Sequence, residues 1–307
     1  MSAKKETPSD QQLHLSALQG NLEALKKVLD GGRVHVDCKD KEGTTPLILA
    51  AANNHLSCVK ELLDQGADPN ARRQTGTCAL FFGAQGGFLD IVIELLNRGA
   101  TVDLPSNDGG TPLFVACQCS HLDVVEELIS RGADIHSQMN DGATPLFIGA
   151  QNGHLRMLKY LLSKGAKVNQ TRKDKATPLW IAAQMGHGPI VQALLEAGAD
   201  VDAAREDGAT PLFKACHKGN IEVVSLLLKH GASVRVLENG ESALHAAALF
   251  GHSNVVKALL AAGVNPSLKN KEGSTAADLA KDAGYDIIAE YLSKARPVQT
   301  GSIQTTV

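Results

Sequence analysis

The chain has 307 residues, 43% hydrophobic but only 4% aromatic, with 30 basic and 33 acidic side chains and a net charge of −3. Near balance, with both signs interspersed, excludes the dense positive footprint of a DNA- or RNA-binding domain. No apolar run is long enough to insert in a bilayer.

At the N-terminus, Met1 to Asp10 is polar and has no apolar h-region of a secretion signal. Residues 1–11 are read as a disordered tail. The six cysteines, Cys38, Cys58, Cys78, Cys117, Cys119 and Cys216, match no disulfide framework. Reduced thiols in the cytoplasm or nucleus are expected. From residue 12 a short periodic unit begins, and then a strict signal takes over. Gly43-Thr-Thr-Pro-Leu47 returns as Gly76-Thr-Cys-Ala-Leu80, Gly109-Gly-Thr-Pro-Leu113 and Gly142-Ala-Thr-Pro-Leu146. It continues as Lys175-Ala-Thr-Pro-Leu179, Gly208-Ala-Thr-Pro-Leu212, Gly240-Glu-Ser-Ala-Leu244 and Gly273-Ser-Thr-Ala-Ala277. The step is 33 residues until it slips by one near Gly240. A fixed period of this length means a stacked array of small modules rather than a globule with one core.

The stretch Asp141 to Thr171 shows how one module is written. Asp141-Gly142 is a turn. Thr144 caps a helix whose first position is Pro145, where a missing N–H costs nothing. Leu146–Gln151 is the first helix, Asn152-Gly153-His154 breaks it, and Leu155–Leu162 has the apolar spacing of a second helix. Gly165 closes that helix in the left-handed conformation. At Lys175 a side chain stands where the other turns carry Gly; if φ is positive there, the Cβ costs about 1 kcal/mol.

These motifs, together with the Gly-Ala pairs at 66, 99, 132, 165, 198 and 231, resemble the ankyrin repeat. The resemblance implies an all-α repeat solenoid of about nine stacked ankyrin repeats over 12–294, each a turn or β-hairpin finger followed by two antiparallel helices. The first and last units are degenerate caps, and 295–307 is a second disordered tail. Family members commonly bind protein partners along the concave inner surface and the finger tips.

Several ladders run at the repeat period. Phe81, Phe114, Phe147, Trp180 and Phe213 occupy one place on successive first helices, where the family usually has a His bonded to the finger backbone; His245 restores it. Apolar stripes at such spacing bury, so a spine under the fingers is expected. Gln85, Gln118, Gln151, Gln184 and His217 follow four residues later on the inner side. With Asn152, Met185 and Lys218 they are the candidate partner-binding face, and Arg72, Arg73, Asn107, Asn140, Lys173, Glu206 and Glu238 are the finger candidates. His55, His121, His154, His187 and His252 recur at the helix–helix turn. Modules about 10 Å apart place them too far from one another to share a zinc ion, and bonds to the turn backbone of the adjacent module are expected. Cys117-Gln118-Cys119 has no second pair at zinc-finger spacing and is read as helix filler. Asn70 and Asn169 resemble asparagines hydroxylated in ankyrin repeats, although a plain turn Asn explains them too. Thr305 and Val307 close the chain in a pattern that resembles the C-terminal ligand of PDZ domains.

No convergent set of catalytic groups, metal ligands or cofactor loop is visible. The reading is a monomeric, non-catalytic interaction scaffold or adaptor with one or more protein partners, a PDZ-domain protein among the candidates, and no nucleic acid. The alternative is a substrate-recruiting or regulatory subunit of an enzyme complex, which usually carries a further recruiting box beyond its repeats.

Overall fold

The computed structural model describes residues 6–234, 236–237 and 240–296. Residues 1–5, 235, 238–239 and 297–307 lie outside that range, and with them Glu238, Thr305 and Val307. Among the described residues there are eighteen helices and no named strand. They divide into two compact units: residues 6–152 with 163–166, and residues 153–162 with 167–296.

The first unit contains α1 (Pro8–Gln19), α2 (Leu22–Asp30), α3 (Pro46–Ala52), α4 (Leu56–Asp64), α5 (Ala79–Gly86), α6 (Leu89–Asn97), α7 (Pro112–Gln118), α8 (Leu122–Ser130) and α9 (Pro145–Asn152). The second contains most of α10 (Leu155–Ser163), then α11 (Pro178–Met185), α12 (Gly188–Glu196), α13 (Pro211–Lys218), α14 (Ile221–Lys229), α15 (Ala243–Leu249), α16 (Ser253–Ala261), α17 (Ala276–Asp282) and α18 (Asp286–Lys294). In the first unit α1, α3, α5, α7 and α9 pack side by side as one layer, backed by α2, α4, α6 and α8. In the second, α11, α13, α15 and α17 pack side by side as a layer of their own over α12, α14 and α16, with α18 packed on α17.

The local code explains the helices. Threonine hydroxyls accept the N3 amide at successive first helices: Thr111 from Phe114 at 3.2 Å, Thr144 from Phe147 at 3.1 Å, Thr177 from Trp180 at 3.1 Å and Thr210 from Phe213 at 3.2 Å. Proline at the following position already has a helical φ. Where Cys78 replaces the threonine, the cap bond is lost. The Leu at the Thr-Pro-Leu place of each module, from Leu47 through Leu244, is at most 1% exposed. The core is therefore thin layers of Leu, Val, Ile and Ala between helices. Gly165 has φ +90° as its cap role requires.

One boundary differs from the expectation. Residues 8–11, read as part of a disordered tail, begin α1. The reason is a capping box: Thr7 Oγ1 accepts from Asp10 N at 3.1 Å, Asp10 Oδ2 accepts from Thr7 N at 2.9 Å, and Pro8 stands at the first helical position. Of the two finger forms expected, turn or β-hairpin, the described residues show turns, with isolated bridges of Val236 with Ser242 and Lys269 with Thr275.

Lys175 holds φ at +65°, so the turn kept the glycine conformation and the lysine carries its strain. We expect Lys175→Gly to stabilise the chain by about 1 kcal/mol, discounted by glycine's extra unfolded-state entropy. An unchanged or lower denaturation midpoint would remove the strain argument.

Candidate partner-binding surface

The aromatic ladder is core. Phe114, Phe147, Trp180 and Phe213 are buried and Phe81 is half-buried. Trp180 also does what the histidines at this position do. Its Nε1 donates to the Ala209 carbonyl at 2.8 Å, as His14 Nε2 does to Thr44 O at 3.0 Å and His245 Nε2 to Ser274 O at 3.2 Å. An indole N–H and an imidazole N–H thus fix a first helix to the next finger in the same way. The Trp180 ring further carries the Arg205 guanidinium at 5.3 Å and the Lys214 ammonium at 5.5 Å.

Three of the turn histidines, His55, His121 and His252, bond across modules as expected. His55 Nε2 donates to Leu18 O at 3.0 Å, His121 to Gln85 O at 3.0 Å and His252 to His217 O at 3.1 Å; Asn220 replaces the imidazole with an Nδ2 bond to Ala183 O at 3.1 Å. Among the described residues no group of three or more His, Cys, Asp or Glu is placed to hold a metal ion. Cys117 is fully buried and its thiol is pushed up by burial, whereas Cys119 is exposed. All six cysteines are free thiols.

The spine and the turns leave the last residues of the first helices facing solvent. In the first unit Gln85, Gln118 and Asn152 are exposed and Gln151 is half-buried. Asn152 is also tied down, its Nδ2 donating to Gln118 O at 3.1 Å. In the second unit Met185 and Lys218 are exposed, and Gln184 and His217 are half-buried.

The finger candidates are held more firmly than their positions suggested. A backbone ladder joins successive fingers: Gln74 N to Glu42 O at 2.9 Å, Asn107 N to Thr75 O at 2.9 Å and Asn140 N to Asp108 O at 2.7 Å in the first unit, and Glu206 N to Asp174 O at 2.9 Å in the second. Asn107 Nδ2 donates to Gln74 O at 2.7 Å and Asn140 Nδ2 to Asn107 O at 2.9 Å. Arg72 reaches Gly76 O at 2.9 Å and Pro105 O at 2.6 Å, and Arg73 pairs with Glu42. These side chains organise the fingers as well as facing solvent. Lys173 and Glu206 are exposed. Beside them, the Arg172 guanidinium and then that of Arg205 hold the Asp174 carboxyl below the usual carboxylate range.

A family model described as ankyrin repeats (3 copies) matches residues 13–105, 67–139, 90–172, 113–205, 146–237, 201–270 and 234–300. The chain belongs to the ankyrin-repeat family. Over 74 residues it is 50% identical to ankyrin repeat domain-containing protein 29 of Danio rerio, covering 24% of this chain and 25% of that protein. Over 73 residues it is 52% identical to the Homo sapiens protein of the same name, covering 24% of each. Alpha-latrocrustotoxin-Lt1a of Latrodectus tredecimguttatus is 35% identical over 68 residues, 22% of this chain and 5% of that protein. The aligned stretches thus span a quarter or less of these relatives. Ankyrin repeats are in general protein–protein interaction modules, and no described helix is long and apolar enough to cross a membrane.

One set of ankyrin residues had no reading as a series from sequence. Asn70 Oδ1 accepts from Thr101 N at 2.7 Å while its Nδ2 donates to Gly99 O at 3.1 Å. Asn169 repeats this with Asp200 N at 2.9 Å and Gly198 O at 3.3 Å. The two hydroxylation candidates are therefore clamps between neighbouring modules. Asp37, Asp103 and Asp202 stand in the same place and accept the corresponding amides. The signal was present as Asp or Asn at a step of 33, interrupted by His136, but only the structure shows what that place touches.

Asp103 is the imperfect clamp. Its Oδ2 accepts from Asp134 N at 3.0 Å, but its Oδ1 is buried without a hydrogen-bond partner. Burial raises its pKa, and the nearby Asp134 carboxylate adds to the rise. Because the folded-state pKa is raised, the stabilising contribution of Asp103 is present in acid and is lost as pH rises through that pKa. In Asp103→Asn, Nδ2 would point at the Gly132 carbonyl, in register with Asn70 and Asn169. We expect the variant to be about 1 kcal/mol more stable at neutral pH, with a gap that closes in acid. Urea denaturation across that pH range checks it, and a pH-independent gap would contradict the assignment.

Proposed function

We propose that the chain is a non-catalytic scaffold or adaptor that binds protein partners through the inner ends of its first helices and through its finger tips. The observation carrying this is the partition within each module. Residues at the aromatic and turn-histidine places bury or bond to backbone, whereas Gln85, Gln118, Met185 and Lys218, at the ends of first helices, stay exposed. Exposed side chains on a rigid repeated frame are what a partner surface requires. A substrate-recruiting or regulatory role in an enzyme complex would use the same surface, and it would appear as an enzyme among the captured proteins.

Capture from lysate with three baits tests the reading: the full chain, a chain with Gln118, Gln151 and Gln184 changed to Arg, and a chain lacking Thr305–Val307. Loss with the Arg variant, its helical signal intact, supports the inner face. Loss only with the shortened chain supports the PDZ-type expectation instead. Binding unchanged in both overturns both assignments.

A further inference from the structure

The inner faces of the two units differ in chemistry. Three places recur at the inner end of each first helix. From the second module through the fifth these are Leu49, Phe82, Val115 and Ile148; then Ala52, Gln85, Gln118 and Gln151; then Asn53, Gly86, Cys119 and Asn152. None carries a charge. In the second unit the same places hold Lys214, His217 and Lys218 on α13, flanked by Met185 on α11 and by Leu249 and Phe250 on and just after α15.

These residues are available to a partner. Met185 is 50% exposed and Phe250 44%, large values for side chains of their size on a folded surface. Phe250 is held in place, its ring 4.4 Å from that of His217 and stacked at 6.4 Å on His252, which is itself bonded to His217 O. Lys218 is exposed, and Lys214 lies over the Trp180 ring. The local field is positive: burial lowers the His217 pKa first, and Lys214 and Lys218 lower it further against the opposing pull of Glu241.

We propose that the inner face of the second unit, at Met185, Lys214, Lys218 and Phe250, docks an acidic peptide segment with apolar side chains on either side of a carboxylate. Charge complementarity selects the sign, and the rigid Phe250 and exposed Met185 offer the apolar contacts. The geometry suits an extended segment. Met185, Lys218 and Phe250 hold one place on three successive modules about 10 Å apart, and three extended residues span about 10 Å. The proposal rests on the reading that inner faces bind partners, and adds which unit does so and what it takes.

The test is selection from a random library of displayed peptides of about 12 residues, long enough at ~3.3 Å per residue to cross three modules. Panning uses the full chain, and affinities of the selected peptides are then measured for the wild type, K218E, F250S and Q118R. Thermal melts confirm that each variant is folded. The expected result is peptides enriched in Asp or Glu beside Leu, Ile, Met or Phe. Their affinity should fall with added salt, and fall about tenfold or more in K218E and in F250S, a larger loss than in Q118R. Neutral or basic selected peptides, or peptides that lose binding only in Q118R, overturn the proposal while leaving inner-face recognition intact. If no peptide is selected, or if all bind every variant equally, the inner-face reading falls with it.

Discussion

Replacing Gly219 with alanine should destabilise the chain by about 2–4 kcal/mol, more than any surface change of the same size. Gly219 has φ +75°, so a Cβ costs about 1–2 kcal/mol before any contact is made. That Cβ would also lie 2.5 Å from Nδ1 and 2.7 Å from Cε1 of His252 in the next module. The ring must then move, and its bond to His217 O is lost, at a further cost of about 1–2 kcal/mol. The double variant Gly219→Ala with His252→Ala separates the two effects. The clash is absent there, so the double loss should be smaller than the sum of the single losses. Strict additivity in denaturant melts would mean that the glycine serves its own backbone alone. Two equivalent turns inside the chain lack glycine, Asn54 with φ +60° and Ser120 with φ +65°. The turn of Asn54 is the comparison without a facing histidine. The following module has Phe88 there instead of histidine, and the Phe88 ring lies against Gly86. Gly87, at the equivalent turn of that module, again faces a ring, with His121 Nδ1 against the place where its Cβ would stand.

Leu179→Ala should cost about 2–5 kcal/mol, the range for a buried leucine whose cavity cannot fully collapse. Leu179 is 0% exposed in α11, next to Trp180, which is 2% exposed and the only tryptophan in the chain. In a repeat array stability is a sum of module and nearest-neighbour terms. Tryptophan fluorescence should therefore report the damage more strongly than far-ultraviolet circular dichroism, which averages over all the helices. A fall in the fluorescence midpoint that exceeds the fall in the dichroism midpoint is the expected result. A loss below about 0.5 kcal/mol would show that Leu179 is not core.

Both predictions start from residue types visible in the sequence, but they were not equally legible. Leu179 could be assigned to the core from Thr-Pro-Leu and the step of 33 alone, because the caps and the helical apolar spacing are local rules. The turn histidines could be assigned to neighbouring backbone by arithmetic, since the step between modules keeps them apart. The pairing of His252 with Gly219 could not, because it depends on where one ring falls over another module's turn. The same holds for the clamp formed by Asn70 and Asn169, and for Arg72, Asn107 and Asn140, which lock fingers to one another as well as facing solvent. The start of α1, by contrast, is a local signal: Thr7-Pro8-Ser9-Asp10 is a capping box written within four residues.

What the sequence determined by itself is the module: its period, its two helices, its caps, its buried leucines and its membership of a repeat array. Each follows from interactions within a few residues, or from a pattern repeated often enough to be read without coordinates. Tertiary structure decided which side chains join modules and which remain exposed. It placed the Trp180 indole on Ala209 O, left the Asp103 carboxyl half-satisfied, and gathered Met185, Lys214, Lys218 and Phe250 on one face of the second unit. Those outcomes are set by distances between residues some thirty positions apart, where an N–H finds a carbonyl or fails to, and such distances exist only once the modules are stacked.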